Sequence, residues 1–416
     1  MVGILKFQTL VLLALASPTA VADEPSRHDL AVGLDVGYVD VSGYESWTEG
    51  SVGKLRYAES GITLNRAFFD YEGRLADTLD VTVVLEAYDD DLGAAVDFTE
   101  AYLEWRPLPQ SANRYRLKVG AFYPRVSLEN VGRGWSSPYS MNASTINTWV
   151  AEELRSFGAE LSWSRKPVAL GGAHEFSVNA AVFKGNDPAG SLLAWKGWSV
   201  HDRQSRFGDK LPLPPLPQIQ PGQMFEAQDP YVEPFREIDD KAGYYLNAEW
   251  RYGKHLLIRA MFYDNKADPT SIISGQYGWY TEFGHLGLQT TLPGDVGLIA
   301  QWMSGSTVMG PQINAAHAVD VDYDSYFLLL TKAIGKHRVS ARYDNFDMTQ
   351  NDSTPEDSNP EHGIAWLASY QYGFTESLYL AVEWLSIKTH RYALVYYGLD
   401  PTVTERQLQL TLQLRF

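Results

Sequence analysis

The chain has 416 residues, with 34 Lys or Arg against 51 Asp or Glu, so its formal net charge at pH 7 is −17. This acidic balance argues against a nucleic-acid-binding protein, because such proteins normally present a basic surface. The sequence contains no Cys, which excludes disulfides, cysteine-ligated metal centres and thiol nucleophiles. The length allows two or three soluble domains or one large β architecture.

The first 22 residues have the features of a removable export signal. Lys6 supplies a positive charge, residues 7–16 are apolar, and Ala20 and Ala22 are the small residues before a cleavage site. The apolar stretch is shorter than the ~20 residues of a membrane-spanning helix, which is the alternative interpretation. We expect a signal peptide at 1–22 and a mature outer-membrane domain at 23–416.

Apolar and polar residues alternate with a period of two along most of the mature chain. In residues 99–107, Leu103 and Trp105 share one face, and Glu100 and Glu104 lie on the other, as the geometry of a β-strand requires. The pattern is weakest at 61–73, 277–290 and 321–332. It predicts about sixteen strands, near residues 30–41, 61–73, 79–89, 99–107, 114–123, 154–164, 174–185, 240–251, 254–264, 277–290, 296–304, 321–332, 336–347, 362–373, 376–388 and 405–416.

The connections between these strands alternate between short and long. The long ones fall at residues 42–60, 90–98, 124–153, 186–239, 265–276, 305–320, 348–361 and 389–404. Short turns at one end and long loops at the other are typical of an up-and-down antiparallel barrel that spans the outer membrane. The fold class is therefore all-β, a transmembrane antiparallel up-and-down β-barrel.

A soluble β-sandwich is the alternative for an all-β chain, and two patterns argue against it. Aromatic residues recur near the ends of the apolar faces, where interfacial girdles lie in membrane barrels. The opposite faces carry charged and amide groups that a dry core could hold only at a cost of several kcal/mol per group. The aromatic residues are Tyr115, Trp163, Trp250, Trp302, Tyr343, Trp366 and Trp384.

The final strand shows the clearest alternation. Leu408, Leu410, Leu412 and Leu414 alternate with polar residues, and the chain stops at Phe416. Charged residues facing lipid near the midplane cost ~2–4 kcal/mol, so an unbroken leucine row suits insertion. A terminal Phe on such a strand resembles the end that bacterial outer-membrane assembly machinery recognises.

Residues 117–129 (LKVGAFYPRVSLE) and, more loosely, 136–161 resemble the phosphate-selective porins of the O and P type. The resemblance implies a sixteen-stranded barrel, usually trimeric, that passes anions past Lys and Arg residues. It also implies that the third long connection folds inward and constricts the channel. This chain has Tyr123 where members of the family often carry Lys shortly before the Pro, so a phosphate preference does not follow directly.

A barrel of about sixteen strands leaves an aqueous channel, whose selectivity depends on the charges that line it. Neighbouring strands place Glu and Arg side by side, so pairing between them is the alternative to an ion path. We expect weak anion preference or near-neutral selectivity. The candidate pore-lining and constriction residues are Arg114, Arg116, Lys118, Arg125, Glu129, Arg133, Arg259, Arg338, Arg342, Glu100 and Glu104.

The sequence therefore predicts a porin, a passive diffusion channel without cofactor or metal. Its expected partners are outer-membrane lipid and lipopolysaccharide, small ions or solutes, and two further copies of the chain in a homotrimer. An adhesin or receptor that binds through its long loops is the alternative. An outer-membrane enzyme is less favoured, because His337 and Ser340 fall on opposite faces of one strand. Residues 211–222 (LPLPPLPQIQPG) are expected to form a stiff outer loop.

Overall fold

Sixteen antiparallel strands form a closed barrel in which the last strand pairs with the first. The computed structural model describes residues 27–166, 172–313 and 315–416, so the predicted signal peptide at 1–22 lies outside the described residues. The strands are β1 (His28–Ser42), β2 (Gly61–Ala76), β3 (Leu79–Ala87), β4 (Val96–Trp105), β5 (Asn113–Phe122), β6 (Ser156–Arg165), β7 (His174–Lys184), β8 (Gly243–Tyr252), β9 (Leu256–Asp264), β10 (Tyr280–Leu292), β11 (Val296–Ile313), β12 (Ala316–Ile334), β13 (His337–Gln350), β14 (Glu361–Gly373), β15 (Leu378–Arg391) and β16 (Thr402–Arg415).

The barrel closes between β1 and β16. Their register runs from Gly33 opposite Arg415 to Ser42 opposite Arg406, and Val32 and Phe416 exchange both backbone hydrogen bonds at 2.9 Å. The leucine row of β16 points outward and is close to half exposed. The transmembrane barrel predicted from alternation is confirmed, including the three strands whose pattern is weakest. No helix in the described part of the chain is long and apolar enough to cross a membrane.

Aromatic side chains form two rows on the outer face. Near the short turns, Tyr115 pairs with Trp163, and Phe176 pairs with Trp250. Near the long loops, a row runs across β11 to β15 through Trp302, Tyr326, Tyr343, Trp366 and Trp384. These positions are typical of the two interfacial belts of a membrane barrel.

Strands β11 and β12 continue through the region that the sequence assigns to a long loop. The predicted connection at 305–320 is wrong, because β11 extends to Ile313 and β12 begins at Ala316. Their ladder pairs Thr307 with Val321 and Val308 with Asp320. Polar residues such as Ser304 and Asp324 occupy the outer positions there, so the alternation that marks membrane-facing strands is lost although pairing continues.

The inner face of the barrel is divided into an apolar and a polar part. On β10 to β15, Phe283, Met303, Phe327 and Leu385 point inward and are at most 1% exposed. On β12 the outward Leu328 is 48% exposed to the lipid side, so both faces of that strand are apolar. Strands with two apolar neighbours have near-continuous hydrophobic sequences, which explains the weak alternation at 321–332.

Candidate functional site

Residues 123–155, here called the crossing segment, connect β5 to β6. The segment ends in helix α1 (Thr145–Glu153), whose residues are all buried. The backbone N–H of Leu128 donates to a side chain of β11 at 2.7 Å, and Asn142 Nδ2 donates to Glu383 Oε1 of β15 at 2.7 Å. Because β11 and β15 lie far from β5 around the barrel, these bonds join the segment to the inner face of other walls.

Glu129 and Arg342, two of the predicted pore-lining residues, anchor the crossing segment to β13. Their side chains have no solvent exposure and lie 3.3 Å apart, and Arg342 also pairs with Asp344 at 2.8 Å. Arg342 donates to the carbonyls of Asn142 and Ala143 at 2.8 and 2.7 Å. Since neither side chain reaches solvent, this pair holds the segment in place and does not face a permeating ion.

Residues 185–242, here called the long segment, connect β7 to β8 and pack on the crossing segment. Helix α2 (Ser191–Lys196) is buried along its whole length. The carbonyl of Trp195 accepts a hydrogen bond from Arg391 of β15, and the indole N–H of Trp198 donates to a backbone carbonyl of β13 at 3.2 Å. The first half of the segment therefore contacts the apolar inner wall.

The proline-rich part of the long segment does not form the exposed loop that the sequence predicts. Leu211, Leu213 and Leu216 are 0%, 3% and 4% exposed, and Leu211 pairs with Val232 in a two-stranded sheet. The surface-loop prediction is wrong for 211–219, because a chain folded against other walls can bury leucines that a solvent-facing loop would expose, whereas 220–222 are exposed. The leucines spaced among the prolines are the signal that could have indicated burial.

An ionic network joins α1 to the long segment. Glu152 Oε1 accepts from Lys196 Nζ and lies 2.7 Å from His201 Nε2. All three side chains are at least nine-tenths buried. Burial alone would raise the pKa of Glu152, but Lys196 and His201 outweigh it and lower the pKa to about 2. The ionised carboxylate therefore holds the two segments together electrostatically.

The next carboxylate, Glu153, caps the beginning of α2. It accepts from the backbone N–H groups of Leu192 and Leu193 at 3.0 and 3.2 Å and from the indole N–H of Trp149 at 2.6 Å. Burial nevertheless raises the pKa of Glu153 to about 7. The contact between α1 and α2 thus contains one group that changes charge near neutral pH.

A cavity of about 410 Å³ opens at the short-turn end of the barrel, against β2 to β5. All four carboxylates that line it are paired with arginines. Asp80 and Glu104 pair with Arg106, and Asp29 and Glu72 pair with Arg133. Within the described residues, neither Arg116 nor Lys118 forms an ion pair within 4 Å, although Lys118 lies between Glu104 and Glu160 in the strand ladder. Its charged lining is Arg27, Arg74, Arg106, Arg116, Lys118, Arg125, Asp29, Glu72, Asp80 and Glu104.

The other predicted lumen residues are held by neighbouring groups of the chain. Each makes a hydrogen bond or ion pair that fixes its direction. These contacts join Arg125 to Glu160 (3.0 Å), Arg259 to Glu249 (2.7 Å), Arg133 to Asp70 (3.2 Å), Arg338 to Thr331 (3.3 Å), Glu100 to the N–H of Tyr123 (3.0 Å) and Arg114 to the carbonyl of Ser111.

A second cavity, of about 40 Å³, lies between the two segments and the wall formed by β1, β2 and β16. Its lining includes Arg66, Arg203 and Arg415 together with Asp35 and Asp202. Arg415 pairs with Asp35, so part of this charge is neutralised across the β1–β16 seam. The cavity is about tenfold smaller than the one at the short-turn end.

Comparison with known proteins shows the fold. No protein-family model and no curated protein sequence matches the chain. Among solved structures, OmpT of Vibrio cholerae (TM-score 0.53, 11% identity) covers 96% of this chain and 100% of its own length. The DcaP channel of Acinetobacter baumannii (TM-score 0.52, 11% identity) covers 95% and 100%, and an anion-selective porin from Comamonas acidovorans (TM-score 0.51, 12% identity) covers 94% and 99%. The architecture is that of bacterial outer-membrane porins.

One group of carboxylates in the described residues has the spacing of a metal site. Oxygen atoms of Asp187, Glu237 and Asp239 lie within 4.8 Å of one another. All three groups already accept backbone hydrogen bonds, Asp187 from Ile238, Glu237 from Gly185 and Asp239 from Lys241. Burial and the neighbouring carboxylates raise the pKa of Asp187 to about 6. The cluster therefore closes the base of the long segment.

Sequence analysis missed the network of Glu152, Lys196 and His201. Alternation assigns functional positions only on strands, and these three residues lie on connections. The stretch SLLAWKGW at 191–198 was a usable signal, because two leucines and two tryptophans within eight residues indicate burial and not a solvated loop.

Proposed function

We propose that this protein is an outer-membrane channel through which small hydrophilic solutes diffuse, with a weak preference for anions. The porin architecture supports a channel, and the cavity at the short-turn end supports the preference. Six cations and four carboxylates line that cavity. Low-dielectric walls focus the field of such charges, so the unpaired Arg116 and Lys118 raise the local concentration of anions.

Permeation in this proposal follows the polar side of the interior. The apolar wall of β10 to β15 is covered by α1 and α2, where Trp149 stacks edge-on against Phe283 and Tyr323 at centroid distances of 5.5 and 5.3 Å. An ion entering such a packed region would lose its hydration without replacement. The route that remains passes from the cationic cavity to the small cavity beside β1, β2 and β16, so a low conductance is expected.

The receptor alternative loses its main support. It relied on a long outer segment at 186–239, but residues 189–205 of that segment are almost wholly buried. Within the described residues, exposure in the long segment is concentrated at 220–230, a much shorter stretch than the receptor alternative assumed. A channel whose passage is restricted by its own connections fits this burial better.

Reversal potentials in a KCl gradient across planar bilayers test the proposal. The double variant Arg116→Glu, Lys118→Glu reverses two lumen charges, and we expect it to change a weak anion preference into a cation preference. The control is Lys254→Glu, which reverses one charge, half of the charge change of the double variant, in an exposed short turn at the same end of the barrel.

Three outcomes would reject the assignment. Strong cation selectivity of the unaltered protein would contradict the anion preference. Equal shifts in the double variant and in Lys254→Glu would show that surface charge, and not the cavity, sets the selectivity. Absence of conductance steps in the unaltered protein would contradict the proposal that it forms a channel.

Three finer proposals accompany this function. The resemblance at residues 117–129 supports a phosphate preference, which is measured by replacing chloride with phosphate in the same gradient. A homotrimer is supported by the solved trimer form of OmpT of Vibrio cholerae, a protein of similar fold (TM-score 0.50, 10% identity). Contact with outer-membrane lipid and lipopolysaccharide is supported by the two aromatic rows.

A further inference from the structure

Two cations without partners lie on the outer face of β15 and β16, towards the long-loop end. Lys388 and Arg406 are both exposed, and neither makes a hydrogen bond or ion pair with the described part of the chain. The register sets Lys388 opposite Thr404 and Arg406 opposite Ser386. The two cations are therefore diagonal neighbours, a relation that spans roughly 7–8 Å between strands.

Other lysines at this end of the barrel are neutralised locally. Lys184, at the end of β7, pairs with Asp240. Lys266, just after β9, pairs with Asp264. The free charge of Lys388 and Arg406 is thus a particular feature of the wall formed by β14 to β16.

A groove of about 420 Å³ is lined by Lys388, and Arg406 lies outside this lining as the diagonal neighbour of Lys388 on β16. Lys388 and the imidazoles of His362 and His390 form one side of it, and Gly363 and Ile364 form its apolar part. The two imidazole rings are stacked with centroids 5.0 Å apart.

The groove lies directly above the aromatic row near the long loops. Trp366 is opposite Ser386, and Trp384 is opposite Leu408. Aromatic belts sit at the level of lipid head groups. Arg406 lies one outward-facing position beyond Trp384, and Lys388 lies two such positions beyond it. Both cations are therefore at the level of the phosphates of the outer leaflet.

We propose that this groove binds a phosphorylated glycolipid of the outer leaflet, with a phosphate between Lys388 and Arg406 and an acyl chain along Ile364 and Trp366. The proposal rests on the outer-membrane location proposed above. Charge-assisted hydrogen bonds to phosphate are among the stronger polar contacts. The carboxylate in the groove, Asp347, lies opposite His362, on the side of the groove away from β16.

Retention of lipid by the purified protein tests the proposal. The probes are bis-phosphorylated lipid A and its dephosphorylated form in detergent, each measured by native mass spectrometry. Each cation near an anionic surface contributes about a fivefold gain in affinity. The double variant Lys388→Gln, Arg406→Gln should therefore bind the phosphorylated lipid roughly 25-fold more weakly, whereas Lys184→Gln should bind it as the unaltered protein does.

Several results would overturn the proposal. One is that the double variant binds the phosphorylated lipid as tightly as the unaltered protein does. Another is that the unaltered protein binds the dephosphorylated lipid as tightly as the phosphorylated one. A third is complete displacement of the lipid by millimolar inorganic phosphate, which would indicate a site for the free anion. Because the chain has no Cys, Thr404→Cys gives a single thiol, and a disulfide between two copies would show that a second chain covers the groove. Conductance should be unchanged in the double variant, so loss of lipid binding and failure of the channel function are distinguished.

Discussion

Replacing Glu152 by Gln should release the long segment from the crossing segment. The carboxylate is the common acceptor of Lys196 and His201, and all three side chains are at least nine-tenths buried. Gln keeps the size of the side chain but removes its charge. Lys196 then keeps Ser199 Oγ at 3.0 Å, the ring of Trp47 with its centroid at 4.2 Å, and the neutral amide oxygen of the new Gln, but its buried ammonium group has lost its ionised partner.

The magnitude follows from the charge state of Glu152. Its pKa of about 2, against an ordinary 4.5, corresponds to about 3 kcal/mol of net stabilisation of the ionised form. Removing one partner of a buried ion pair generally costs about 3–5 kcal/mol. Both arguments predict that the free energy of opening the long segment falls by about 3 kcal/mol, which raises its open population by roughly a hundredfold.

Hydrogen–deuterium exchange of the protein in detergent measures this opening. The relevant amides are those of residues 191–205, including the N–H of Ala194, which donates within α2 at 2.9 Å, and that of Ser205, which donates to Ala151 at 3.0 Å. We expect their exchange to accelerate by up to about a hundredfold, with no change in the barrel strands. The control is Glu175→Gln, which breaks a partly exposed ion pair with Lys166 worth about 0–1 kcal/mol.

The reasoning would be refuted by unchanged exchange in residues 191–205 of the Glu152→Gln protein. Acceleration throughout the barrel strands would also contradict it, because that would indicate global loss of structure. The distinction matters for function, since release of the long segment alone should raise the conductance of single channels, whereas global unfolding should abolish it.

Two further predictions concern pH and membrane insertion. Because Glu153 has a folded-state pKa of about 7 against an ordinary 4.5, the folded protein holds the extra proton. The stability that Glu153 contributes is therefore largest below pH 4.5 and falls by about 3 kcal/mol as the pH rises through 7. Glu153→Gln should remove the pH dependence of hydrogen–deuterium exchange in α2. An identical pH profile in the variant would disprove this role of Glu153. Leu410→Arg, on the lipid face of β16, should reduce the folding free energy into vesicles by ~2–4 kcal/mol, whereas Thr404→Arg, beyond the aromatic row, should cost less than about 1 kcal/mol; equal losses would mean that Leu410 does not face lipid.

The barrel could be predicted because lipid imposes a rule on every strand. Each strand must present an apolar row to the membrane, and the row of Leu408, Leu410 and Leu412 on β16 shows the rule clearly. The short turns could be located for the same reason, since polar residues interrupt the rows. The loop predicted at 305–320 was wrong because β11 and β12 continue beyond the membrane. There the strands need no apolar row, so their alternation disappears although their pairing continues.

The interior could not be predicted in the same way. Alternation assigned Arg342 and Arg116 to the same lumen, but Arg342 is 1% exposed and anchors the crossing segment, whereas Arg116 is exposed in the cationic cavity. Which inward charge meets water depends on where the two long connections pack. That packing arises from contacts between residues far apart in sequence, such as Glu152 with His201, and no local periodicity reports it.

The division of the inner face has a consequence for ion selectivity. In a ring of alternating lumen charges, every inward Arg and Glu would contribute, and the net charge of −17 would favour cations. Here α1 and α2 cover the wall of β10 to β15, so the charges on that side, including Arg342 and Asp344, neutralise one another out of reach of solvent. The charges beside β1 to β5 and β16 remain in contact with the lumen, together with the partly exposed Glu249, Arg259 and Arg338. Under the proposed function, Arg116 and Lys118 therefore weigh more than the acidic total in setting the ion preference.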